Sequence, residues 1–167
     1  SAFTFYRGAA LTMAADLAAT PTSGIRVQCC GDAHLCNFGG FATPERKVIF
    51  SINDLDETLP APWEWDVKRL AASFAVACRD KGLSDRVAKD VVMTCVRTYR
   101  ESMAEFSELK TLELWYRALE MDELLGGLPP KLRKRVQKRI EKEQAKSRGE
   151  EMFPKLAEQR GDTHVIK

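Results

Sequence analysis

Histidine is scarce in this sequence, with only His34 and His164 among 167 residues. Two-metal phosphoesterases place several histidines on separate loops, so the sequence matches that class of enzyme only superficially, at Asp32-Ala33-His34. The five cysteines are an odd number, and Cys29 and Cys30 are adjacent. Successive side chains of a strand point to opposite faces, which argues against a zinc ion held by both. Reduced thiols in the cytosol fit this pattern better than a disulfide framework.

Long apolar runs and a strong net charge are absent too. No segment reaches the length of a membrane-spanning helix and none resembles a signal peptide, so we expect a cytoplasmic protein with no membrane partner. A net charge of +2 gives no general attraction to nucleic acid. Residues 131–148 are strongly basic but contain no aromatic residue. They therefore predict a solvated helix rather than a nucleic-acid-binding arm.

What is present is the composition of an ordinary globular chain, 44% apolar and 30% charged, which is enough for one domain with a core. The first residue is Ser1 rather than methionine, so we expect a piece of a longer protein. Gly126-Gly127 and Pro129-Pro130 break the chain. They predict a main region over residues 1–125, followed over residues 126–167 by a basic helix and a tail that continues or links the longer protein.

Periodicity and turn residues predict an α+β fold that is mostly helical, with a small β unit. The predicted helices cover residues 3–19, 63–80, 84–107, 111–119 (with an extension to 125 as the alternative) and 131–148, and the predicted strands cover residues 25–30, 38–42 and 47–52. Ser84 is the predicted N-cap of its helix, and Gly82 lies just past the predicted end of the helix before it. Residues 149–167 show little periodicity and are predicted to be a linker.

Short oxygen-bearing side chains lie at the ends of two predicted strands: Asp32 and Asn37 follow the first strand, and Asp54 follows the last. Loops on a rigid scaffold can aim such side chains at a ligand, and oxygen ligands suit Mg²⁺ or Mn²⁺ better than zinc. Kinase-type phosphoryl transferases need a base aspartate, then four residues, then a metal-binding asparagine, and a second metal-binding aspartate beyond. The three residues have that spacing. A turn aspartate after a glycine is the structural alternative for Asp32.

The motifs resemble those of a known group of enzymes. Gly31-Asp32-x-His34-x-x-Asn37 is similar to the catalytic loop of aminoglycoside phosphotransferase-like kinases, and Ile52-Asn53-Asp54-Leu55-Asp56 is similar to their metal-binding loop. A longer set of motifs resembles a bacterial family catalogued as domain of unknown function 2252 and thought to be kinase-like. This resemblance spans roughly residues 3–125 and rests on Phe5-Tyr6-Arg7-Gly8, Cys30-Gly31-Asp32-Ala33-His34, Asn53-Asp54-Leu55-Asp56-Glu57-Thr58 and Pro62-Trp63-Glu64-Trp65-Asp66-Val67-Lys68-Arg69-Leu70.

The resemblance implies a fold like the C-terminal lobe of a protein kinase, in which the small β unit carries the catalytic and metal loops. It implies that Asp32 is the catalytic base, and that His34 belongs to the catalytic set by ordering the loop rather than by abstracting a proton. It implies that Asn37 and Asp54 bind the metal, with Asp56 a neighbour that could bridge a second ion. The implied cofactors are Mg²⁺ (or Mn²⁺) and ATP, and the implied partners are a nucleotide and a hydroxyl-bearing acceptor.

Two parts of a kinase have no counterpart in the sequence, namely a glycine-rich loop over the phosphates and a strand lysine that binds them. In the resembling family these parts lie downstream of the catalytic loop. We therefore expect the chain to hold the catalytic half of a phosphotransferase and to be inactive on its own. A non-catalytic binding or regulatory module built on a kinase-like scaffold is the alternative from a different functional class.

Asp66 falls on the apolar face of its predicted helix, three residues after Trp63 and four before Leu70. A buried carboxylate without partners costs several kcal/mol, so it has to be satisfied. One candidate partner is Arg69, in a surface pair. The other is the backbone N–H groups of residues 32–34, since the resembling kinases anchor their catalytic loop in this way. We predict the second arrangement, with Arg69 reaching solvent and Asp66 supporting the site.

Overall fold

Short helices and strands fill the first third of the chain, and longer helices follow. The computed structural model describes residues 1–45, 47–147, 157–160 and 163–166. The fold class is α+β and mostly helical, as predicted, with the strands paired in three small two-stranded sheets across the described residues. The elements in chain order are α1 (Ala2–Arg7), α2 (Ala10–Ala18), β1 (Arg26–Cys29), β2 (Phe38–Ala42), β3 (Val48–Ile52), β4 (Leu59–Pro62), α3 (Glu64–Asp80), α4 (Asp85–Ser107), α5 (Thr111–Trp115), α6 (Met121–Gly126), α7 (Pro130–Ser147), β5 (Ala157–Arg160) and β6 (Thr163–Ile166).

The chain divides into two compact units. The first comprises Ser1–Phe41 and Phe50–Ala118, and the second comprises Ala42–Ile49 and Leu119–Lys167. Every candidate site residue belongs to the first unit. The predicted boundary at residue 125 stays a prediction. In the described part of the chain, no helix combines the length and the apolar character needed to cross a bilayer.

The N-terminal segment differs from the prediction of one helix over residues 3–19. It forms two helices, because the chain tightens at Gly8 and Ala9. The N–H of Gly8 donates to the carbonyl of Phe5 at 3.1 Å, and the N–H of Ala9 donates to the carbonyl of Tyr6 at 3.2 Å. Such three-residue bonds close the last turn of a helix. The tightening ends α1 at Arg7, and α2 begins at Ala10.

Strand β4 is a second difference, because no strand was predicted at this position, which contains Pro60 and Pro62. Leu59–Pro62 pairs antiparallel with β1, with Arg26 opposite Pro62 and Cys29 opposite Leu59. Proline has no N–H and is therefore confined to edge strands. In a two-stranded ribbon both strands are edges, so the two prolines are compatible with the pairing.

The predicted small β unit is formed by β2 and β3, with strand bounds close to those predicted. The rings of Phe38 and Phe50 stack with their centroids 6.1 Å apart, which holds the two strands together near the site. The loop over residues 31–37 precedes β2, and the loop over residues 53–58 follows β3. The unit therefore brings both candidate loops to one end of the strand pair.

Helices α3 and α4 pack together and support the first unit. The predicted N-cap is confirmed, because Oγ of Ser84 accepts a hydrogen bond from the N–H of Val87 at 3.4 Å. Gly82 adopts φ +68° just after α3, where a residue with a Cβ would be strained. At the other end of α3, the rings of Trp63 and Tyr99 stack with centroids 5.6 Å apart.

The C-terminal third contains more structure than the sequence predicted. The helix expected over residues 111–119 ends at Trp115, and α6 follows as a separate helix. Residues 149–156 lie outside the described residues, but the predicted linker also includes β5 and β6, which pair with Ala157 opposite Ile166 and Arg160 opposite Thr163. A Gly-Asp pair between two short segments is a hairpin signal, and Gly161-Asp162 is such a pair.

Candidate functional site

Three polar side chains form one stripe along helix α3: Asp66, Arg69 and Ser73. Their spacing of three and then four residues places them on the same face of the helix. Arg69 is 2% exposed and Ser73 is 0% exposed, so these two polar residues are the most buried of the helix, whereas Asp66 is half-buried. Each side chain contacts a successive part of the loop that carries Asp32. The stripe therefore holds the loop against the helix over three consecutive contacts.

Asp66 provides the first contact. Its Oδ2 accepts a hydrogen bond from the N–H of Cys30 at 2.7 Å, and its Oδ1 accepts one from the N–H of Gly31 at 3.0 Å. The donors expected from the sequence were residues 32–34, so the carboxylate grips the loop immediately before Asp32. Hydrogen bonds to an ionised acceptor are stronger than neutral ones. Asp66 therefore fixes the backbone from which the Asp32 side chain extends.

Arg69 provides the second contact, and its placement corrects the expectation that it reaches solvent. Its Nε lies 2.7 Å from Oδ1 of Asp32, and its Nη2 contacts the same oxygen. Nη2 also donates to the carbonyl oxygens of Tyr6 at 3.1 Å and Arg7 at 3.4 Å. A buried guanidinium has to be paired, and Asp32 is the carboxylate that pairs with it. Arg69 is thus the link between the loop and helix α1.

Tyr6 packs against this guanidinium. Its ring lies 4.8 Å from the guanidinium carbon of Arg69, which is a cation–π distance. Its hydroxyl donates to the carbonyl of Arg69 at 2.7 Å. Burial raises the pKa of Tyr6, and the charge of Arg69 opposes that shift. The hydroxyl therefore stays protonated and able to donate, which holds α1 against α3.

Ser73 provides the third contact. Its Oγ accepts a hydrogen bond from the N–H of Leu35 at 3.0 Å and donates to the carbonyl of Leu70 at 2.7 Å. The hydroxyl therefore satisfies one backbone group of the loop and one of its own helix. Neither Arg69 nor Ser73 was singled out as a support for the loop from the sequence. The sequence pattern that could have identified them is the repetition of polar residues at helical spacing after Asp66. These polar residues lie on a helix face that also carries apolar residues.

Gly31 lets the two candidate loops approach each other. It adopts φ +82°, in the left-handed region that favours glycine. A Cβ at this position would also collide with the backbone carbonyl of Glu57. The turn into the Asp32 loop therefore packs directly against the backbone that follows Asp54. This approach needs both the glycine conformation and the missing side chain.

Asn37 is a buried residue that links the loop carrying Asp32 to the loop carrying Asp54 by hydrogen bonds. It is 5% exposed, and its Nδ2 donates to the carbonyls of Asp32 at 3.0 Å and Asp54 at 3.1 Å. Its own carbonyl accepts from the N–H of Asn53 at 3.1 Å. Only the amide nitrogen can donate to two carbonyl oxygens, so the network assigns the orientation of the carboxamide. Across the described residues, Oδ1 of Asn37 accepts no hydrogen bond and is free for a ligand.

Asp54 and Asp56 differ in position. Oδ1 of Asp54 accepts a hydrogen bond from the N–H of Asp56 at 3.1 Å, in a turn that fixes the Asp54 side chain. Its Oδ2 has no hydrogen bond within the part of the chain that the structure describes. Asp56 is exposed and is absent from the described residues that line the cleft. Its observed contribution is the backbone N–H that orients Asp54.

His34 is buried beside Asp32. Its Nδ1 accepts a hydrogen bond from the N–H of Cys36 at 3.1 Å, and its Nε2 lies 3.5 Å from Oδ2 of Asp32. Burial lowers the pKa of His34, partly offset by the negative charge of Asp32, so the neutral ring is favoured. With Nδ1 accepting, the proton of the neutral ring is on Nε2 and faces Asp32. This arrangement suits a role in ordering the loop better than proton abstraction.

Asp32, His34, Asn37 and Asp54 line one cleft of about 540 Å³. Asp66 supports the cleft from behind, through the backbone of residues 30–31. The other described lining residues are Thr4, Arg7, Gly8, Cys36 and Asn53. The sequence reasoning missed the contribution of α1. The motif Phe5-Tyr6-Arg7-Gly8 could have indicated from the sequence that this segment contributes to the site.

The cleft is lined by two carboxylates, Asp32 and Asp54, and by two side-chain amides, Asn37 and Asn53. Among the described residues, no group of three or more His, Cys, Asp and Glu side chains is arranged to hold a metal ion. The available donors are therefore a mixed carboxylate and amide set. Such oxygen atoms suit a hard cation such as Mg²⁺ or Mn²⁺.

Comparison with models of protein families gives a match over the whole chain. The bacterial family described as "Uncharacterized protein conserved in bacteria (DUF2252)" matches residues 1–167. No curated protein and no solved structure matches the chain. The match covers the cleft and also the C-terminal helix and strands. Because the description of the family states no activity, function has to be argued from the cleft.

Proposed function

The chain belongs to the bacterial family DUF2252, and for it we propose a Mg²⁺-dependent phosphotransferase function with a kinase-like catalytic lobe. The reaction is transfer of the γ-phosphate of ATP to a hydroxyl group of an acceptor. One observation carries the proposal: Asp32, Asn37 and Asp54 line a single cleft. These three residues have the spacing that kinase-type phosphoryl transfer requires. The two loops that carry them are joined by the hydrogen bonds of Asn37.

The proposed cation ligands are Oδ1 of Asn37 and the carboxylate of Asp54. Both fit a hard cation. Oδ1 of Asn37 accepts no hydrogen bond from any described residue, and among the described residues Asp54 accepts a hydrogen bond only through its Oδ1, which leaves its Oδ2 available. The nitrogen of Asn37 is committed to two carbonyls, so binding a cation through its oxygen requires no rearrangement. When bound, Mg²⁺ supplies neutralisation of the charge on the phosphates. Asp56, which the resemblance made a candidate ligand, contributes through its N–H to Asp54.

Asp32 is the proposed base. Its Oδ1 is held by Arg69, so Oδ2 is the oxygen available to accept the proton of an acceptor hydroxyl. The buried guanidinium fixes the carboxylate plane, and Asp66 fixes the backbone on which it stands. A base held in this way loses little freedom when the acceptor binds. His34 helps to keep Oδ2 in place from the other side.

Binding of Mn²⁺, measured by electron paramagnetic resonance, tests the cation site. Asp54→Asn retains an oxygen for the N–H of Asp56 but removes the charge, and we expect it to weaken Mn²⁺ binding at least about tenfold. Asp90→Asn, at an exposed position on α4, is the matched control and should bind as the wild type does. Equal Mn²⁺ affinity in all three proteins would remove Asp54 from the proposed site.

Turnover tests the base. In any longer protein that joins this chain to phosphate-binding parts, we expect Asp32→Asn to lower kcat by roughly 10²–10⁴-fold while Mn²⁺ binding is retained. We expect the present chain alone to bind Mg-ATP weakly and to show no turnover, which calorimetry and an ADP-release assay would measure. An unchanged kcat in Asp32→Asn would contradict the base role.

A second candidate function is a non-catalytic binding module on the same scaffold. The observation that favours it is the buried ion pair between Asp32 and Arg69, since a carboxylate engaged in this way can be purely structural. The two functions differ in one measurement. A binding module would retain nucleotide-dependent metal binding and show no phosphoryl transfer, with or without Asp32, even when it is joined to phosphate-binding parts.

A further inference from the structure

Arg7 is a charged residue in the cleft that the proposed roles leave unused. It is the last residue of α1, is exposed, and lines the cleft with Thr4 and Gly8 from the same segment. Its backbone is held in place, because the carbonyl of Arg7 accepts a hydrogen bond from Nη2 of Arg69 at 3.4 Å. Within the residues that the structure describes, its guanidinium forms no hydrogen bond and no ion pair.

The charges around the cleft explain why this guanidinium is available. The charge of Asp32 is already balanced by Arg69, which lies 2% exposed beneath it. Among the described residues that line the cleft, the other carboxylate is that of Asp54 and the guanidinium is that of Arg7. The cleft therefore offers a negative group to a cation and, from a different element, a positive group to an anion.

We propose that Arg7 binds a phosphate group of the same ligand whose metal ion is bound by Asn37 and Asp54. A guanidinium presents its N–H donors in a planar fork that matches two phosphate oxygens. Arg7 then provides a positive group for the phosphates, for which the sequence contains no recognisable strand lysine. That the bound anion is a phosphate rests on the proposed function. That Arg7 binds an anion at all rests on its exposed guanidinium and on the charges of the cleft.

The anchoring of α1 makes Arg7 suitable for this role. Tyr6 donates its hydroxyl to the carbonyl of Arg69 at 2.7 Å, and Arg69 donates back to the carbonyls of Tyr6 and Arg7. The same guanidinium therefore positions both the base Asp32 and the backbone of Arg7. A ligand that contacts Arg7 is consequently placed in a fixed relation to Asp32. This relation is what transfer of a phosphoryl group to a hydroxyl beside Asp32 requires.

The test is a titration with Mg-ADP monitored by NMR. The signals observed are those of the backbone amides of residues 4–8 and of the arginine Nε–H groups, and they report millimolar as well as tighter binding. Four proteins are compared: wild type, Arg7→Gln, Arg7→Lys and Arg97→Gln. Arg97 is an exposed arginine on α4 and is the matched control. Adenosine, which lacks the phosphates, is the control ligand. Thermal melts verify that each variant folds.

We expect Arg7→Gln to weaken Mg-ADP binding by about ten- to hundredfold, as the loss of a charge-assisted contact predicts. Arg7→Lys should retain part of the affinity because it keeps the charge without the fork. Arg97→Gln should bind as the wild type does, and adenosine should bind equally weakly to all four proteins. Wild-type affinity in Arg7→Gln, or no shift of residues 4–8 in the wild type, would overturn the inference.

Mn²⁺ binding without nucleotide separates this inference from the proposed function. Arg7→Gln should bind Mn²⁺ as tightly as the wild type does, because Arg7 is not a metal ligand. If Mg-ADP binding is independent of Arg7 while Mn²⁺ binding depends on Asp54, the inference fails and the cation site stands. If Mg-ADP binding depends on Arg7 while Mn²⁺ binding is independent of Asp54, the anion site stands and the proposed cation site fails.

Discussion

Nε of Arg69 lies 2.7 Å from Oδ1 of Asp32, and the two residues are 37 positions apart in the sequence. The pair joins helix α3 to the loop that carries the proposed base. Arg69 is 2% exposed, whereas the Asp32 side chain is 19% exposed, so the carboxylate is the member of the pair that faces the cleft. One oxygen of Asp32 therefore serves the fold and the other is available for chemistry.

Replacement of Asp32 should affect stability as well as activity. The substitution Asp32→Ala leaves the buried guanidinium of Arg69 without its carboxylate. Breaking one side of a buried ion pair costs about 3 kcal/mol or more, with Asp32→Asn costing less because it keeps an acceptor oxygen. Urea unfolding measures both, with Asp90→Ala as the control. A stability of Asp32→Ala equal to that of the control would show that Arg69 finds another partner.

Replacement of Asp66 should loosen the loop. Asp66→Ala removes the acceptor of two backbone N–H groups, and hydrogen bonds to charged groups contribute about 1.5–3 kcal/mol each. We therefore expect a loss of about 3 kcal/mol in the free energy of unfolding. Asp66→Asn should be similarly damaging, because its NH₂ group would face one of the N–H donors. Asp80→Ala, at the exposed end of the same helix, should change stability by less than about 1 kcal/mol.

Hydrogen exchange distinguishes a local effect of Asp66 from a global one. In Asp66→Asn, the amides of Cys30 and Gly31 should lose protection more than those of α4. Equal loss of protection in both places would mean that Asp66 supports the whole unit rather than the loop.

Gly31 and Gly24 form a matched pair for testing the close approach of the two loops. Both have positive φ, +82° and +84°, but a Cβ meets nothing within 4 Å at Gly24 and collides with the carbonyl of Glu57 at Gly31. Gly24→Ala should cost about 1 kcal/mol for the left-handed conformation alone. Gly31→Ala should cost about 2 kcal/mol more because of the steric overlap. Equal melting temperatures for the two variants would contradict this packing.

Stability should fall in mildly acidic solution because of His34. Its pKa is lowered, mainly by burial, from an ordinary value of 6.5, so the unfolded chain binds a proton more readily than the folded chain does. The stabilising contribution is complete above pH 6.5 and is lost as the pH falls below 6.5 toward the folded pKa. His34→Asn offers an oxygen for the N–H of Cys36, and we expect its stability to be less dependent on pH in this window.

The check is urea unfolding of wild type and His34→Asn from pH 7.5 down to pH 5.5. His164 is present in both proteins, so the difference between their pH profiles reports His34. Parallel profiles would show that His34 does not titrate differently in the folded and unfolded chains.

Sequence reasoning succeeded where the signal is local. Helix α4 begins after Ser84, whose side chain caps a backbone group three residues away, and β2 and β3 lie where alternation and turn residues place them. It failed at strand β4, which contains two prolines, since the partner strand β1 that makes the pairing possible lies 30 to 36 residues earlier in the chain. Local patterns carry no information about such a partner.

The order and spacing of Asp32, Asn37 and Asp54 are properties of the chain, and they sufficed to propose an oxygen-lined site because the two loops flank one short strand pair. The burial of Arg69, the contact of Asp66 with Cys30 and Gly31, and the entry of Arg7 into the cleft are properties of the folded molecule. The Arg69 contacts with Tyr6 and Asp32 join residues 63 and 37 positions apart. Such contacts depend on how α1 and the loop pack against α3. Packing therefore made Arg69 a buried support, where helical periodicity alone had placed it at the surface.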